Sequence, residues 1–231
     1  MTRLLVVTAV PAEQAAVLGA RSPAVGTVAG LAVHRSQTPA GLLDVACGGV
    51  GPVTAALSTA ALLRTTDYDF VISAGIGGGF PRVSLGEVVI ADEVVHADLG
   101  AQTADGGFDS LTQLGWGPVQ VRVDAGLAGQ LSRRTSGVLG TVLSVSTVTG
   151  TQPAADRLLE RYPAAVAEAM EGAGCGQAAQ QAGVRFGELR AISNPVGPRD
   201  RAAWRISDAL AALTTAFDQL LAEPLDRSEP T

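Results

Sequence analysis

Several short runs of this chain are apolar at almost every residue rather than at every second one. Leu4-Leu5-Val6-Val7 and Val88-Val89-Ile90-Ala91 show the pattern most plainly. A strand with one wet face alternates apolar and polar side chains, so an uninterrupted run demands burial on both faces. Strands of this kind are expected at 3–9, 31–36, 42–47, 69–74, 86–91, 138–145 and 185–193. Between them, helices are expected over 11–19, 52–64, 153–161, 165–182 and 202–222. In the last of these Ile206, Leu210, Leu213, Phe217, Leu220 and Leu221 fall near one face. The alternation predicts an α/β chain with a mostly parallel or mixed sheet covered by helices on both sides. The stretch 97–118, rich in Gly, Asp and Gln, reads as a long functional loop. A single domain is expected over residues 1–222. Residues 223–231, with Pro224 and Pro230, read as a disordered tail.

Composition narrows the chemistry. Apolar residues make up 47% of the chain, ample for a core. The net charge of −6 argues against a nucleic-acid or anionic-membrane partner. Every basic residue other than histidine is Arg, so a Schiff-base lysine and a Walker-A lysine are both excluded. The two cysteines, Cys47 and Cys175, are too few for a disulfide framework, which points to a reducing cytoplasm. The apolar N-terminal run is cut short by Pro11 and Glu13 and reads as a buried strand rather than a signal peptide. His34 and His96, taken with the cysteines, show no zinc-ligand spacing, so no metal is expected.

Two glycine clusters follow expected strands: Cys47-Gly48-Gly49-Val50-Gly51-Pro52 and Ala74-Gly75-Ile76-Gly77-Gly78-Gly79-Phe80. Glycines at a strand end let backbone amides approach a ligand, and they equally suit tight turns. A dinucleotide fingerprint is not complete in either. Thr54 and Phe80 stand where a third glycine belongs.

Several further segments follow in order: Leu85-Gly86-Glu87-Val88-Val89-Ile90-Ala91-Asp92-Glu93, Ser144-Val145-Ser146-Thr147-Val148-Thr149-Gly150, Glu168-Ala169-Met170-Glu171 and Arg190-Ala191-Ile192-Ser193-Asn194. With Glu13 and the two glycine clusters, this series resembles the nucleoside phosphorylase/nucleosidase superfamily. The likeness is to the branch containing methylthioadenosine/adenosylhomocysteine nucleosidase. The resemblance implies a three-layer α/β/α fold with a central mixed β-sheet, nucleoside phosphorylase-like. It also implies a small-molecule nucleoside substrate, no cofactor, and a homo-oligomer of two or more copies.

Site residues follow from the same resemblance. Cleaving an N-ribosidic bond passes through a sugar with oxocarbenium character, so water must be activated and both fragments stabilised. Glu13 matches the water-activating glutamate; read alone, it is an ordinary first-turn acid behind Pro11. Glu171, expected inside an Ala/Gly-rich helix, matches the carboxylate that accepts the ribose hydroxyls, with Met170 packing the sugar. A lone buried glutamate needs a partner. The alternative is a surface glutamate, as Glu168 is read to be. Gly77, Gly78, Val148 and Thr149 match the substrate-lining segments. Val148 replaces an aromatic that adenine-cleaving relatives often carry, and Phe80 or Trp204 is a candidate to supply the missing stacking.

Asn194 stands where adenine-cleaving relatives carry an aspartic acid. An amide cannot protonate the base, but it donates to a ring nitrogen or a 6-oxo group. Asn194 therefore points to a 6-oxopurine, although Asn-Pro is also a common turn pair. The segment 193–201 with Trp204 most resembles members acting on a 6-oxopurine nucleoside with a carboxylated aromatic 5′ extension. One of Arg199, Arg201 and Arg205 is then expected to meet that carboxylate. The rival activities are a 6-oxopurine nucleoside phosphorylase and a methylthioadenosine/adenosylhomocysteine-type nucleosidase. A nucleoside-binding protein with little turnover is the non-enzymatic rival. His34, His96 and Asp92 receive no role.

Overall fold

The computed structural model describes residues 2–228. In chain order the elements are β1 (Arg3–Thr8), α1 (Pro11–Leu18), β2 (Ala24–Val28), β3 (Leu31–Thr38), β4 (Gly41–Cys47), α2 (Pro52–Thr65), β5 (Phe70–Gly79) and β6 (Val88–His96). They continue with β7 (Gly100–Gln102), β8 (Phe108–Ser110), β9 (Gln120–Arg122), α3 (Ala125–Thr135), β10 (Val138–Ser144), α4 (Gln152–Arg161) and β11 (Ala165–Ala169). The series closes with α5 (Gly172–Ala182), β12 (Arg185–Pro195), a 3-10 turn at Arg201–Ala203 and α6 (Ile206–Leu220).

Among the described residues the main sheet has ten strands in the order β11-β10-β6-β12-β5-β1-β4-β3-β2, with β9 beside β6. It is mixed. β1 lies parallel to β4 and β5, and β12 parallel to β5, while β12 and β6 run antiparallel. β11 pairs with β10 and also with the end of β5, so that half of the sheet curls into a ring. β12 shows how two helical layers arise from period-two alternation. A side chain on Gly187 would meet Leu127 and Leu131 of α3, whereas Phe186 and Glu188 meet Gly176 and Gly172 of α5. The result is a three-layer α/β/α arrangement. Leu5, Phe70, Ile72, Ile90, Leu189 and Phe217 sit in its main core. A smaller cluster around Phe80, Leu143 and Leu158 lies under α4.

The expected helix over 165–182 is two elements. Ala165–Ala169 is a fully buried strand and Gly172–Ala182 is the helix, with Met170 and Glu171 at the junction. An Ala/Gly-rich stretch carries too little periodicity to separate the two. Helix α3 escapes the apolar pattern because Leu127 and Leu131 are its only large apolar residues, set among Ala, Gly and a polar second half; it begins where the Asp124 side chain accepts from Leu127 N at 2.7 Å. β2 and β9 are further additions, and the loop 97–118 contains the β7–β8 hairpin. Residues 223–228 of the expected tail are anchored. Leu225 is buried in the core, Arg134 donates to the carbonyls of Glu223 and Pro224, and Asp226 N donates to Gln130. Residues 229–231 lie outside the described residues. No helix among the described residues is long and apolar enough to cross a membrane.

Candidate active site

The strands of the curled half end around one cavity of about 550 Å³. Pro11 starts α1 directly after β1 and brings Glu13 back over the strand end. Its Oε2 accepts from Ala9 N at 2.9 Å and Val10 N at 3.3 Å, and its Oε1 accepts from Ile76 N at 2.9 Å. Three main-chain donors from two strand ends thus fix the carboxylate, which is only 4% exposed. Burial pushes the Glu13 carboxyl above its ordinary value. The Arg190 guanidinium and the Ile76 and Ala9 amides pull against that rise. Gly75 is needed for space: a Cβ there would collide with Glu13 Oε1 and lie 2.8 Å from Arg190 Nη1.

Glu171 caps the start of α5 and accepts from Gly51 N at 3.1 Å. Its missing partner is Arg190, whose Nη1 lies 3.3 Å from Glu171 Oε2. Arg190 is 0% exposed on β12. Its Nε donates to Glu188 Oε1 at 2.8 Å and its Nη2 donates to Ser73 Oγ at 2.8 Å. Burial disfavours the Arg190 charge, but Glu188, Glu171 and Glu13 together hold the guanidinium more firmly protonated than usual. Burial pushes the Glu188 carboxyl up, and its Oε2 has no hydrogen-bond partner among the described residues. One buried cation therefore serves three buried carboxylates, of which Glu13 and Glu171 line the cavity.

The opposite wall is flat. Gly77 and Gly78 end β5, where a Cβ on Gly77 would lie 2.9 Å from the Glu168 carbonyl and one on Gly78 would lie 2.9 Å from Val196. Asn194 borders that wall. Its Nδ2 donates to the Pro195 carbonyl at 2.9 Å and its Oδ1 accepts from Ser193 Oγ at 2.8 Å. A carbonyl only accepts, so this contact sets which end of the amide carries the nitrogen.

The structure gathers Glu13, Gly77, Gly78, Val148, Met170, Glu171 and Asn194 on the cavity wall. Thr149 is not on it; Thr149 N donates to Glu168 Oε1 at 2.9 Å, and its hydroxyl donates to Glu168 Oε2. Glu168, read from sequence as a surface residue, is 5% exposed and lines the cavity. Trp204 and Arg201 also line it. Phe80 does not: it is buried under α4 beside a separate cleft of about 290 Å³. Arg199 and Arg201 lie 5.8 and 5.9 Å from the Trp204 ring, whereas Arg205 pairs with Asp208 at 2.6 Å. Asp92 is exposed and lines a separate cleft beside Glu93, and His96 Nδ1 lies 3.5 Å from Asp98. Cys47 and Cys175 are both free. Among the described residues no cluster of three or more His, Cys, Asp or Glu side chains could hold a metal.

Sequence reasoning missed Arg190, Glu188 and Glu168. A signal was present for the first two: a charged pair at i and i+2 in an otherwise apolar, doubly buried strand faces one layer and needs partners there.

Residues 3–223 match the sequence profile of the Phosphorylase superfamily, and the chain belongs to that superfamily. Within it, the chain is 52% identical to a futalosine hydrolase of Streptomyces coelicolor across 94% of each protein. It is 45% identical to a futalosine hydrolase of Acidothermus cellulolyticus, covering 94% of this chain and 89% of the relative. The fold also superposes on a futalosine hydrolase mutant of Helicobacter pylori, with a TM-score of 0.82 at 16% identity over 95% of this chain and 98% of that one.

Proposed function

We propose that this chain is a futalosine hydrolase that cleaves the N-ribosidic bond of futalosine with water. The products are hypoxanthine and dehypoxanthine futalosine, in the alternative route to menaquinone. The observation that carries the mechanism is the grouping of Glu13, Glu171 and Asn194 around one cavity, with Arg190 beneath the two acids.

In this reading Glu13 takes a proton from water, and the water oxygen bonds to the ribose C1′. The C1′–N9 bond breaks, and its electron pair leaves with the purine. The upward shift of Glu13 makes its carboxylate a stronger base than an ordinary glutamate. Glu171 accepts the ribose hydroxyls, and its charge stabilises the cationic sugar. The second N–H of Asn194 Nδ2 donates to the departing 6-oxopurine, which collects its proton from solvent. Arg190 touches none of the reacting atoms; its guanidinium pairs with Glu171 and attracts the Glu13 carboxylate from beneath. Arg201 and Trp204 sit at the mouth, where a guanidinium and an indole suit the carboxylated aromatic 5′ extension.

We place the enzyme in the cytoplasm as a homo-oligomer. Val53 and Leu57 of α2 are 71% and 69% exposed beside the cavity residue Val50, an apolar strip suited to a second copy.

The test is hypoxanthine release from futalosine and from inosine, each with and without phosphate. Rapid release from futalosine in phosphate-free buffer, with inosine poor, is expected. Phosphate-dependent release from inosine would make the chain a phosphorylase. Release of adenine from methylthioadenosine would move it to the adenine-cleaving branch.

A further inference from the structure

Three buried carboxylates face the cavity, and the mechanism above employs two. The third is Glu168 on β11. β11 runs antiparallel to the end of β5 and sets Glu168 beside Gly78; β12, on the other side of β5, sets Asn194 beside the same glycine. Residues in register on adjacent strands project to the same face, and adjacent strands lie about 4.8 Å apart. Glu168 and Asn194 therefore flank a residue that has no side chain, with about two strand spacings between their backbones. The gap is a slot with a flat glycine floor and one polar side chain on each side.

The two walls differ in hydrogen-bond sense. Asn194 offers a donor, because the Pro195 carbonyl fixes its Nδ2. Glu168 offers an acceptor: Thr149 N and the Thr149 hydroxyl each donate to one of its oxygens, and the remaining lone pairs are available to the cavity. Burial lifts the Glu168 carboxyl, while the two Thr149 donors favour its ionised form. A tie between the 149 loop and β11 would need neither a charge nor a place on the cavity wall.

A purine presents N7, its 6-substituent and N1 along one edge. In a 6-oxopurine these read acceptor, acceptor, donor; in a 6-aminopurine they read acceptor, donor, acceptor. With the walls at the two ends of that edge, a donor at N7 and an acceptor at N1 fit the first pattern, whereas in the second the acceptor wall would meet the lone pair of N1. We propose that Glu168 determines base specificity by accepting the N1–H of the 6-oxopurine, while Asn194 donates at the other end of the same edge. This assignment rests on the futalosine hydrolase reading. It makes base selection a property of two residues, and it gives Thr149 the job of orienting Glu168.

The test is Glu168→Gln, assayed on futalosine and on its 6-amino analogue. The Gln Oε1 must face Thr149 N–H, so Nε2 takes the place of Oε2 beside the Thr149 hydroxyl, which accepts one of its N–H groups, and the second N–H replaces the lone pair offered to the slot. For futalosine, kcat/KM is expected to fall about 100-fold, while activity on the 6-amino analogue holds or rises. Equal losses on both substrates, or an unchanged ratio, would overturn the role of Glu168 and leave it a loop tie. Should Glu168→Gln fail to fold, hypoxanthine and unsubstituted purine are compared as inhibitors of the Asn194→Ala variant. A preference for hypoxanthine that survives without the Asn amide upholds the proposal, and equal inhibition overturns it. Wild-type enzyme that releases no hypoxanthine from futalosine removes the parent reading. Wild-type enzyme that does so, with an unmoved Glu168→Gln ratio, removes only this inference.

Discussion

Two buried acid–arginine clusters lie in the same sheet and behave in opposite ways. On β4, Asp44 is completely buried, yet it accepts from Arg35 at 2.6 and 2.8 Å, from Arg3 at 3.0 Å and from the Tyr68 hydroxyl at 2.8 Å. Burial alone would raise its carboxyl, but donors from Arg35, Tyr68 and Arg3 outweigh that and hold it below the ordinary value. At the cavity the ratio is inverted: Glu13, Glu171 and Glu188 share Arg190, and the Glu13 and Glu188 carboxyls are pushed up. Both clusters pair carboxylates with guanidinium groups. Two cations around one acid make a rivet, and three acids around one cation make a group ready to take a proton.

The comparison breaks most severely at Arg190. Arg190→Met should cost about 3–5 kcal/mol in urea denaturation, because it strands buried carboxylates without a counter-charge. Unchanged stability would mean that those acids are already protonated in the folded state. Next in size, Glu13→Gln should lower turnover about 10³-fold while calorimetry still detects hypoxanthine binding. Undiminished turnover would remove Glu13 from the mechanism. Asn194→Asp should cost about 100-fold in kcat/KM on the 6-oxopurine substrate and favour 6-aminopurines; an unaltered preference would leave base reading to another residue. Asp44→Asn is the control on the other cluster. It should cost about 2 kcal/mol of stability and leave kcat/KM within about twofold of wild type.

Acidification sharpens the contrast with the smallest effect. In the proposed mechanism Glu13 is a base only when ionised, and its value is raised, so kcat/KM should fall with decreasing pH above the range of an ordinary glutamate. Asp44 has a lowered value. Its contribution to stability is present above its unfolded value and is lost as pH falls through the lower folded one. Glu13 and Glu188 carry the opposite sign, contributing less as pH rises through their raised folded values. Activity should therefore decline on acidification before the Asp44 rivet releases. A pH–rate profile set beside acid unfolding checks the order, and coincident midpoints would refute it.

The chain's apolar runs were enough to locate β1, β4, β5, β6, β10 and β12, since strands buried on both faces leave an unbroken signal. Motif order, through the family resemblance, singled out Glu13, Glu171 and Asn194 as candidates, and the fold brings all three to one cavity. Tertiary structure decided the rest. The segment 165–182 divides into strand and helix only because Ala165–Ala169 is enclosed between β10 and the end of β5, a contact invisible in a run of small side chains. Arg190 meets Glu171 and Glu13 across long stretches of chain, and Glu168 and Asn194 meet the same glycine from two different strands. Local sequence sets propensity and period. Which charges share a dry interior, and so which of them ionise, is set by burial and by partners that only the folded chain brings together.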